Sequence, residues 1–410
     1  MAMNKRKIIN DPVYGFITIS NDLIFDLIQH PWFQRLRNIR QLGLTNLVYP
    51  GALHTRFQHS LGTLHLMRQA LDNLKYKGVE ISDAEDEAAQ AAILLHDIGH
   101  GPFSHLLEKT FISSMTHEDF TALFMERLNR QYEGRLELAI RIFKDEYPRR
   151  FLHQLVSGQL DVDRLDYLTR DSFFSGVAEG VVGTERIIKM LNVVDDQLVA
   201  DVKALYSIEK FIISRRLMYW QVYLHKTVHV AEVMLVLCLR RAKLLWNIQP
   251  DFFLPEQMRL FFEKEYVIDD FQRDSSLLDN YAVLDDRDIW YAVKQWRSHK
   301  DRVLSDLSER LYNRNLFRIE LSDHPFPQDR IGWIRQQIRQ QLLYSEEEVG
   351  FMCSSGKMEN RAYNTSSGSI HILEKDGTVL PLEELSDHLN HRTLSERVSK
   401  YFIAYPKELS

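Results

Sequence analysis

His96-Asp97-Ile98-Gly99-His100-Gly101-Pro102-Phe103-Ser104-His105 puts three histidines and an aspartate into ten residues. An apolar, helix-like run from Ala88 to Leu95 leads into this stretch, and Gly99, Gly101 and Pro102 then break the pattern. Imidazole and carboxylate are the side chains that bind divalent metals or move protons near neutral pH. Glycine lets backbone or ligand approach closely. The pattern predicts a buried helix that opens into a cleft at its end.

Working outward, Asp83–Asp97 reads as that helix, with Ser82 as its N-cap. Helical periodicity dominates from Gln58 to about Trp246. It predicts helices at His59–Asn73, at His117–Leu128 behind the N-cap Thr116, at Arg135–Phe143, Phe151–Gly158 and Asp163–Ser175, and over a long stretch from Ser207 to Trp246. Leu191–Leu205 alternates instead and carries Asp195-Asp196, a hairpin signal. Residues 1–57 read as irregular, with turns at Asn10-Asp11-Pro12 and Tyr49-Pro50-Gly51. Within them Pro31–Leu42 is a short helix, with Arg35, Arg37 and Arg40 at polar positions. After Pro250, helices mixing acidic and aromatic residues run to about Tyr312. Strand candidates follow at Phe317–Leu321, Ile370–Leu373 and Tyr401–Tyr405, with a helix at Asp329–Leu343 and a polar loop at Ser354–Ser369. The expected fold is mainly α, with a helical core carrying a small β hairpin (1–250) and a C-terminal helical and α+β region (251–410).

The bulk properties narrow the function classes. The chain has 410 residues, 45% of them apolar, which is ample for a large core. A net charge of -6 argues against a protein built mainly to hold nucleic acid, leaving such binding secondary and local. Two cysteines, Cys238 and Cys353, form no disulfide framework, so a reducing cytoplasm is expected. The first residues lack the apolar region of a signal peptide. The longest apolar run, Val228–Leu239, is short and broken by Glu232, so no membrane partner is expected. The apolar helices after Ser207 suit a homo-oligomer, dimer or tetramer, and suit an interior core equally.

Histidines and acids recur at helix ends. His59 begins one helix, His96 and Asp97 end another, and Asp163 opens a third. Two imidazoles and two carboxylates make a mixed N/O ligand set for one divalent ion, with Zn, Mn, Fe, Co, Ni and Mg all admissible. Such an ion lowers the pKa of bound water and polarises a phosphoryl oxygen. A lone histidine on an apolar helix is usually structural, and density is what sets this chain apart. Asp163, Asp166, Tyr167 and Arg170 share one helical face.

Arg56-Phe57-Gln58-His59-Ser60-Leu61-Gly62, the decapeptide 96–105, Thr116-His117-Glu118 and DVDRLDYLTRD (161–171) together resemble the HD-domain phosphohydrolases. Within that family they are most like the deoxynucleoside triphosphate triphosphohydrolases, the group that includes the SAM-and-HD-domain protein and bacterial relatives. The resemblance runs from about Asn10 to Ala231, so no SAM domain is expected ahead of it. It implies that His59, His96, Asp97 and Asp163 hold the metal. His100, His105, Arg164 and Tyr167 match groups along the triphosphate, and Arg56 matches the arginine at the α-phosphate. Arg164 replaces a lysine of the close relative, offering a bidentate fork. His117 and Glu118 match a His-Glu pair beside the scissile bond, able to relay protons. Gln41 and Leu42 match the pair that reads the 3′-hydroxyl, and Asp171 an acid near it. Tyr223 matches the aromatic that packs on deoxyribose, and Arg215 a phosphate-binding arginine. Gln29-His30-Pro31 departs from the acidic residue that reads a guanine effector. Gln34 and Arg37 still match neighbouring regulatory positions, which keeps a nucleotide effector in view.

The resemblance thus implies a metal-dependent enzyme that cleaves a dNTP to deoxynucleoside and tripolyphosphate, with Mg accompanying the substrate as a second cation. The rivals are an HD phosphohydrolase for another nucleotide ester and a nucleotide or nucleic-acid sensor with little turnover. Arg164, Tyr167 and Arg215 weigh against a monoester, which needs fewer cations.

Overall fold

The computed structural model describes residues 7–19, 21–103, 110, 112, 115–360, 369–386 and 398–409. The fold is mainly α, as the periodicity predicts. Its centre is the helix Arg56–Tyr76, packed against Asp83–Leu95 and Val162–Ser175. Local chemistry sets the helix starts. Ser82 and Thr116 accept the N–H groups of Glu85 and Asp119, whose carboxylates reach back to the cap N–H groups. Asp161 caps Val162–Ser175 by accepting the Arg164 N–H at 2.7 Å, and Gly176, at φ +74°, ends that helix in the left-handed conformation.

The predicted hairpin forms between Leu191–Val194 and Gln197–Asp201. Asp195 (φ 50°) and Asp196 (φ 56°) supply the positive dihedrals of its two-residue turn. The long pattern after Ser207 is not one helix. Leu205–Met218 passes through a π turn at Tyr219–Tyr223 and restarts as Lys226–Ile248, bent by 55°. The His225 ring caps the restart by accepting the Thr227 N–H at 3.2 Å. No single helix among the described residues is long and apolar enough to cross a membrane.

Several expectations need correction. The segment expected to be irregular begins with an antiparallel hairpin, Lys7–Asp11 with Gly15–Ile19, followed by a helix at Asp22–Gln29. Asp11 closes the turn by accepting the Val13 and Tyr14 N–H groups, and Ile17 and Ile19 are buried. Five-residue strands with only one buried face leave a faint pattern. Pro31–Leu42 is not one helix but Pro31–Gln34 followed by a 3-10 turn, Arg35–Asn38. Arg35, one of the polar positions of that expected helix, is buried and donates to the carbonyls of Ile98 and Leu284. Within the expected loop 354–369, Ser354–Asn360 forms a strand, because Val398–Tyr405 offers it a full ladder and Met358 a buried position. That central strand also pairs with Arg318–Ser322. His371–Leu373 joins the core hairpin in parallel, through Ala200 and Ile372.

The C-terminal region shares the core and reaches the decapeptide itself. The Tyr281 hydroxyl donates to the Gly99 carbonyl at 2.8 Å. Asp286 accepts the N–H groups of Phe103 (2.8 Å) and Arg40 (3.0 Å). Asp286→Ala should therefore lower stability by about 1–3 kcal/mol for each buried donor left bare. A thermal melt equal to wild type would show that the tether carries no load.

Two glycines set the spacing of the central helices. A Cβ on Gly62 would lie 2.0 Å from Asp166 Oδ1 and 2.2 Å from Arg170 Nη2. A Cβ on Gly99 would lie 2.2 Å from the His117 carbonyl oxygen. Gly62→Ala should cost about 3 kcal/mol, because both obstructing groups are buried and hydrogen-bonded. An unchanged urea midpoint would contradict this packing.

Candidate metal centre and phosphate cleft

His59 lies in the first turn of the Arg56–Tyr76 helix, His96 and Asp97 directly after Asp83–Leu95, and Asp163 in the first turn of Val162–Ser175. Helix packing brings these three ends to one point. One ligand atom from each of His59, His96 and Asp163 lies within 4.8 Å of the others. Asp163 Oδ1 is 3.0 Å from His59 Nε2 and 3.5 Å from His96 Nε2. Asp97 stands at the rim of this cluster, 3.6 Å from His59 Nε2 and 3.5 Å from His96 Nε2. It also accepts a hydrogen bond from Arg56.

The remaining ring nitrogens fix both imidazoles. His96 Nδ1 donates to the Ile93 carbonyl at 2.6 Å, and His59 Nδ1 to Asp166 at 2.7 Å. Arg170 holds Asp166 through two contacts of 3.0 Å, and Asp11 holds Arg170 at 2.8 Å. Both Nε2 atoms are buried and make no hydrogen bond. Two orphaned lone pairs facing carboxylates are the donor set a divalent cation fits, with the outer-shell acceptors that orient histidine ligands.

The cations gather along one wall. Arg56, Arg164 and Arg215 are each largely buried around Tyr167 and the metal cluster. Arg164 is paired with Asp161, and Arg215 lies 6.0 Å from the Tyr219 ring. The Nε atoms of Arg164 and Arg215 are buried and make no hydrogen bond. The His100 ring stacks on His117 with centroids 3.9 Å apart. Glu118 is mostly exposed and 3.8 Å from His117 Nε2, beyond hydrogen-bond range. His105 lies outside the described residues.

Beyond Tyr167 the cleft becomes aromatic. The Tyr223 ring meets Tyr167 and Tyr219 edge-on at 6.1 and 5.2 Å. Its hydroxyl donates to Asp171 Oδ2 at 2.8 Å. Leu42 is half-buried, and Gln41 Oε1 is buried without a hydrogen bond. The residues that the resemblance matched to regulatory positions have local contacts. His30 caps Pro31–Gln34, Gln34 donates to the Ile28 carbonyl, and Arg37 lies 3.6 Å over the Phe57 ring.

The HD domain profile matches residues 56–171, and the HD associated region profile matches residues 182–253. The uncharacterized protein YwfO of Bacillus subtilis is 37% identical over 77% of this chain and 72% of its own length. A crystal structure of a phosphohydrolase from Bacteroides thetaiotaomicron is 52% identical, with a TM-score of 0.94 over 98% of this chain and 99% of that one. This chain belongs to the HD-domain phosphohydrolase family. Human deoxynucleoside triphosphate triphosphohydrolase SAMHD1 is 32% identical over 56% of this chain, which spans 43% of that protein.

In this HD-domain phosphohydrolase, burial and charge set the protonation states. Burial disfavours the His59 imidazolium, but the surrounding carboxylates of Asp163, Asp166 and Asp97 push its pKa up to about 10 in the metal-free site. His96 is raised too, with Asp97 and Asp163 outweighing burial. Burial would raise Asp163 and Asp97, yet the two imidazoles hold the first, and Arg56 above all holds the second, below the usual carboxylate range. His100 goes the other way: burial and then Arg56 hold it well below the usual imidazole value. Burial raises the Tyr167 and Tyr223 hydroxyls, against Arg215 for the first and with Asp171 for the second. Both remain donors at neutral pH.

Sequence reasoning missed several contributors. Tyr219, Tyr281, Asp286 and His54 contact groups of the site or its neighbours and carry no local signal, and Asp11, legible only as a turn residue, also holds Arg170. Asp166 lay on the face singled out in the sequence, although its bond to His59 did not show there.

Proposed function

We propose that this HD-domain phosphohydrolase hydrolyses deoxynucleoside triphosphates to deoxynucleoside and tripolyphosphate. The observation that carries this reading is the arrangement of unsatisfied buried atoms. Guanidinium N–H groups of Arg164 and Arg215 lack acceptors at one end, and Gln41 Oε1 lacks a donor at the other. Unsatisfied donors suit phosphate oxygens, and an unsatisfied acceptor suits a hydroxyl. The SAMHD1 relatives, about 30% identical, are deoxynucleoside triphosphate triphosphohydrolases, which supports this assignment.

A divalent cation held by His59, His96 and Asp163, with Asp97 beside it, would supply Lewis-acid polarisation and an acidified water. Arg56 binds the α-phosphate, while Arg164 and Arg215 neutralise the rest of the triphosphate and the Tyr167 hydroxyl donates to it. His100, held well below the usual imidazole value by burial and Arg56, serves as a neutral hydrogen-bonding group toward the substrate. His117, stacked on it, can deliver a proton to the departing 5′-oxygen. The oxygen of water bonds to the α-phosphorus as the bond to the 5′-oxygen breaks. Tyr223, held by its hydroxyl on Asp171, packs on the sugar and leaves no room for a 2′-hydroxyl.

The test is product analysis with each dNTP and a divalent metal. Deoxynucleoside with inorganic tripolyphosphate is the expected result. Monophosphate with pyrophosphate, or no turnover, rejects the reading.

A further inference from the structure

His54 lies outside the metal and phosphate walls, yet it touches the sugar end of the cleft. It is 2% exposed, and its Nε2 lies 2.7 Å from Asp171 Oδ1. The ring stacks on Phe174 with centroids 4.6 Å apart and planes 16° apart, which fixes its orientation. Its Nδ1 is buried and makes no hydrogen bond, so the ring proton belongs on Nε2, where the carboxylate accepts it. The His54 carbonyl also accepts the Gln41 N–H at 3.0 Å.

These contacts link two polar side chains. Asp171 is 1% exposed and held from opposite sides, by His54 on Oδ1 and by Tyr223 on Oδ2. Each carboxylate oxygen keeps a lone pair for a further donor. The Gln41 amide, on the segment that the His54 backbone anchors, is the second group, its Oε1 buried and without a hydrogen bond. A buried carboxylate left with one donor would be free to rotate toward whatever polar group remained. His54 removes that freedom.

We propose that His54 is a positioning residue for sugar selectivity: its Nε2–H locks Asp171, and its carbonyl sets Gln41, so that Asp171 accepts the one O–H of a 3′-hydroxyl while the Gln41 amide, turned to present its NH2, donates to the same oxygen. The inference rests on the deoxynucleotide reading above. It assigns His54 no contact with the reacting phosphorus and no proton transfer.

The experiment compares kcat/KM for each dNTP with that for its 2′,3′-dideoxy analogue, using the full chain loaded with divalent metal. His54→Met keeps the reach of the ring but has no donor, whereas the amide of His54→Gln can still reach Asp171. His54→Met should lower the dNTP-to-dideoxy ratio about tenfold, the size of one lost hydrogen bond to a charged group, and His54→Gln should restore most of it. Metal content should be equal in all three proteins. A ratio equal in wild type and both variants, or a parallel fall for both substrate types, overturns the inference and leaves His54 a packing residue. If His54→Met does not fold, His54→Asn, too short to reach the carboxylate, gives the same reading. A wild-type protein that hydrolyses no dNTP rejects the deoxynucleotide reading itself, whatever the variants do.

Discussion

Asp163→Ala should empty the metal centre and leave the fold standing. The Asp163 carboxylate is the cluster's shared contact, 3.0 Å from one orphaned imidazole nitrogen and 3.5 Å from the other. Its side chain is 28% exposed, more open than the other cluster members, so little packing depends on it. The fold should lose only the contribution of a first-turn acid to its helix, about 0.3–1 kcal/mol. Turnover should fall by about a thousandfold or more, since the bound cation supplies several kcal/mol of transition-state stabilisation. Elemental analysis alongside circular dichroism separates the two effects. A variant that keeps a full equivalent of metal would reject the proposed ligand set.

Asp166→Ala should do the reverse: every proposed ligand stays, and the scaffold fails. Asp166 is fully buried and holds both the His59 ring and the Arg170 guanidinium, itself fully buried. Its removal leaves Arg170 with Asp11 alone and His59 Nδ1–H without an acceptor. Breaking a buried pair in this way costs about 3–5 kcal/mol. Losing the outer-shell carboxylate should also weaken metal binding about 10–100-fold. Urea unfolding and metal titration of the same preparation test both claims. Unchanged metal affinity would mean that the His59 ring is oriented by packing alone. Asp166→Asn should recover part of the stability but not the charge balance with Arg170.

The two substitutions show which parts of the site the sequence could reveal. Asp163 and Asp166 stand one helical turn apart and look alike in the sequence. What separates them is the partner each meets: the Nε2 atoms of His59 and His96 for Asp163, and Arg170 with His59 Nδ1 for Asp166. The candidate ligands were legible because metal chemistry restricts the residue types and places them at helix ends. The helix starts at Ser82 and Thr116 were legible because a cap acts over three residues. The Asp195-Asp196 turn was legible because its dihedrals suit so few residues.

Other features had no local signal. Lys7–Asp11 and Gly15–Ile19 are short strands with one buried face, so their alternation is weak. Ser354–Asn360 is polar and becomes a strand only because Val398–Tyr405, far along the chain, presents a matching edge. Arg35 looks like a surface arginine until Ile98 and Leu284 surround it with carbonyls.

The sequence by itself determined the donor chemistry of the centre, the helical character of the core, and the caps and turn that bound its elements. Each of these depends on residue type and on interactions within a few positions. Only the tertiary structure decided that His54 meets Asp171 across 117 residues and that Asp286 meets Phe103 across 183. A buried polar group must find its partner wherever packing brings one, and no short window of sequence contains that partner.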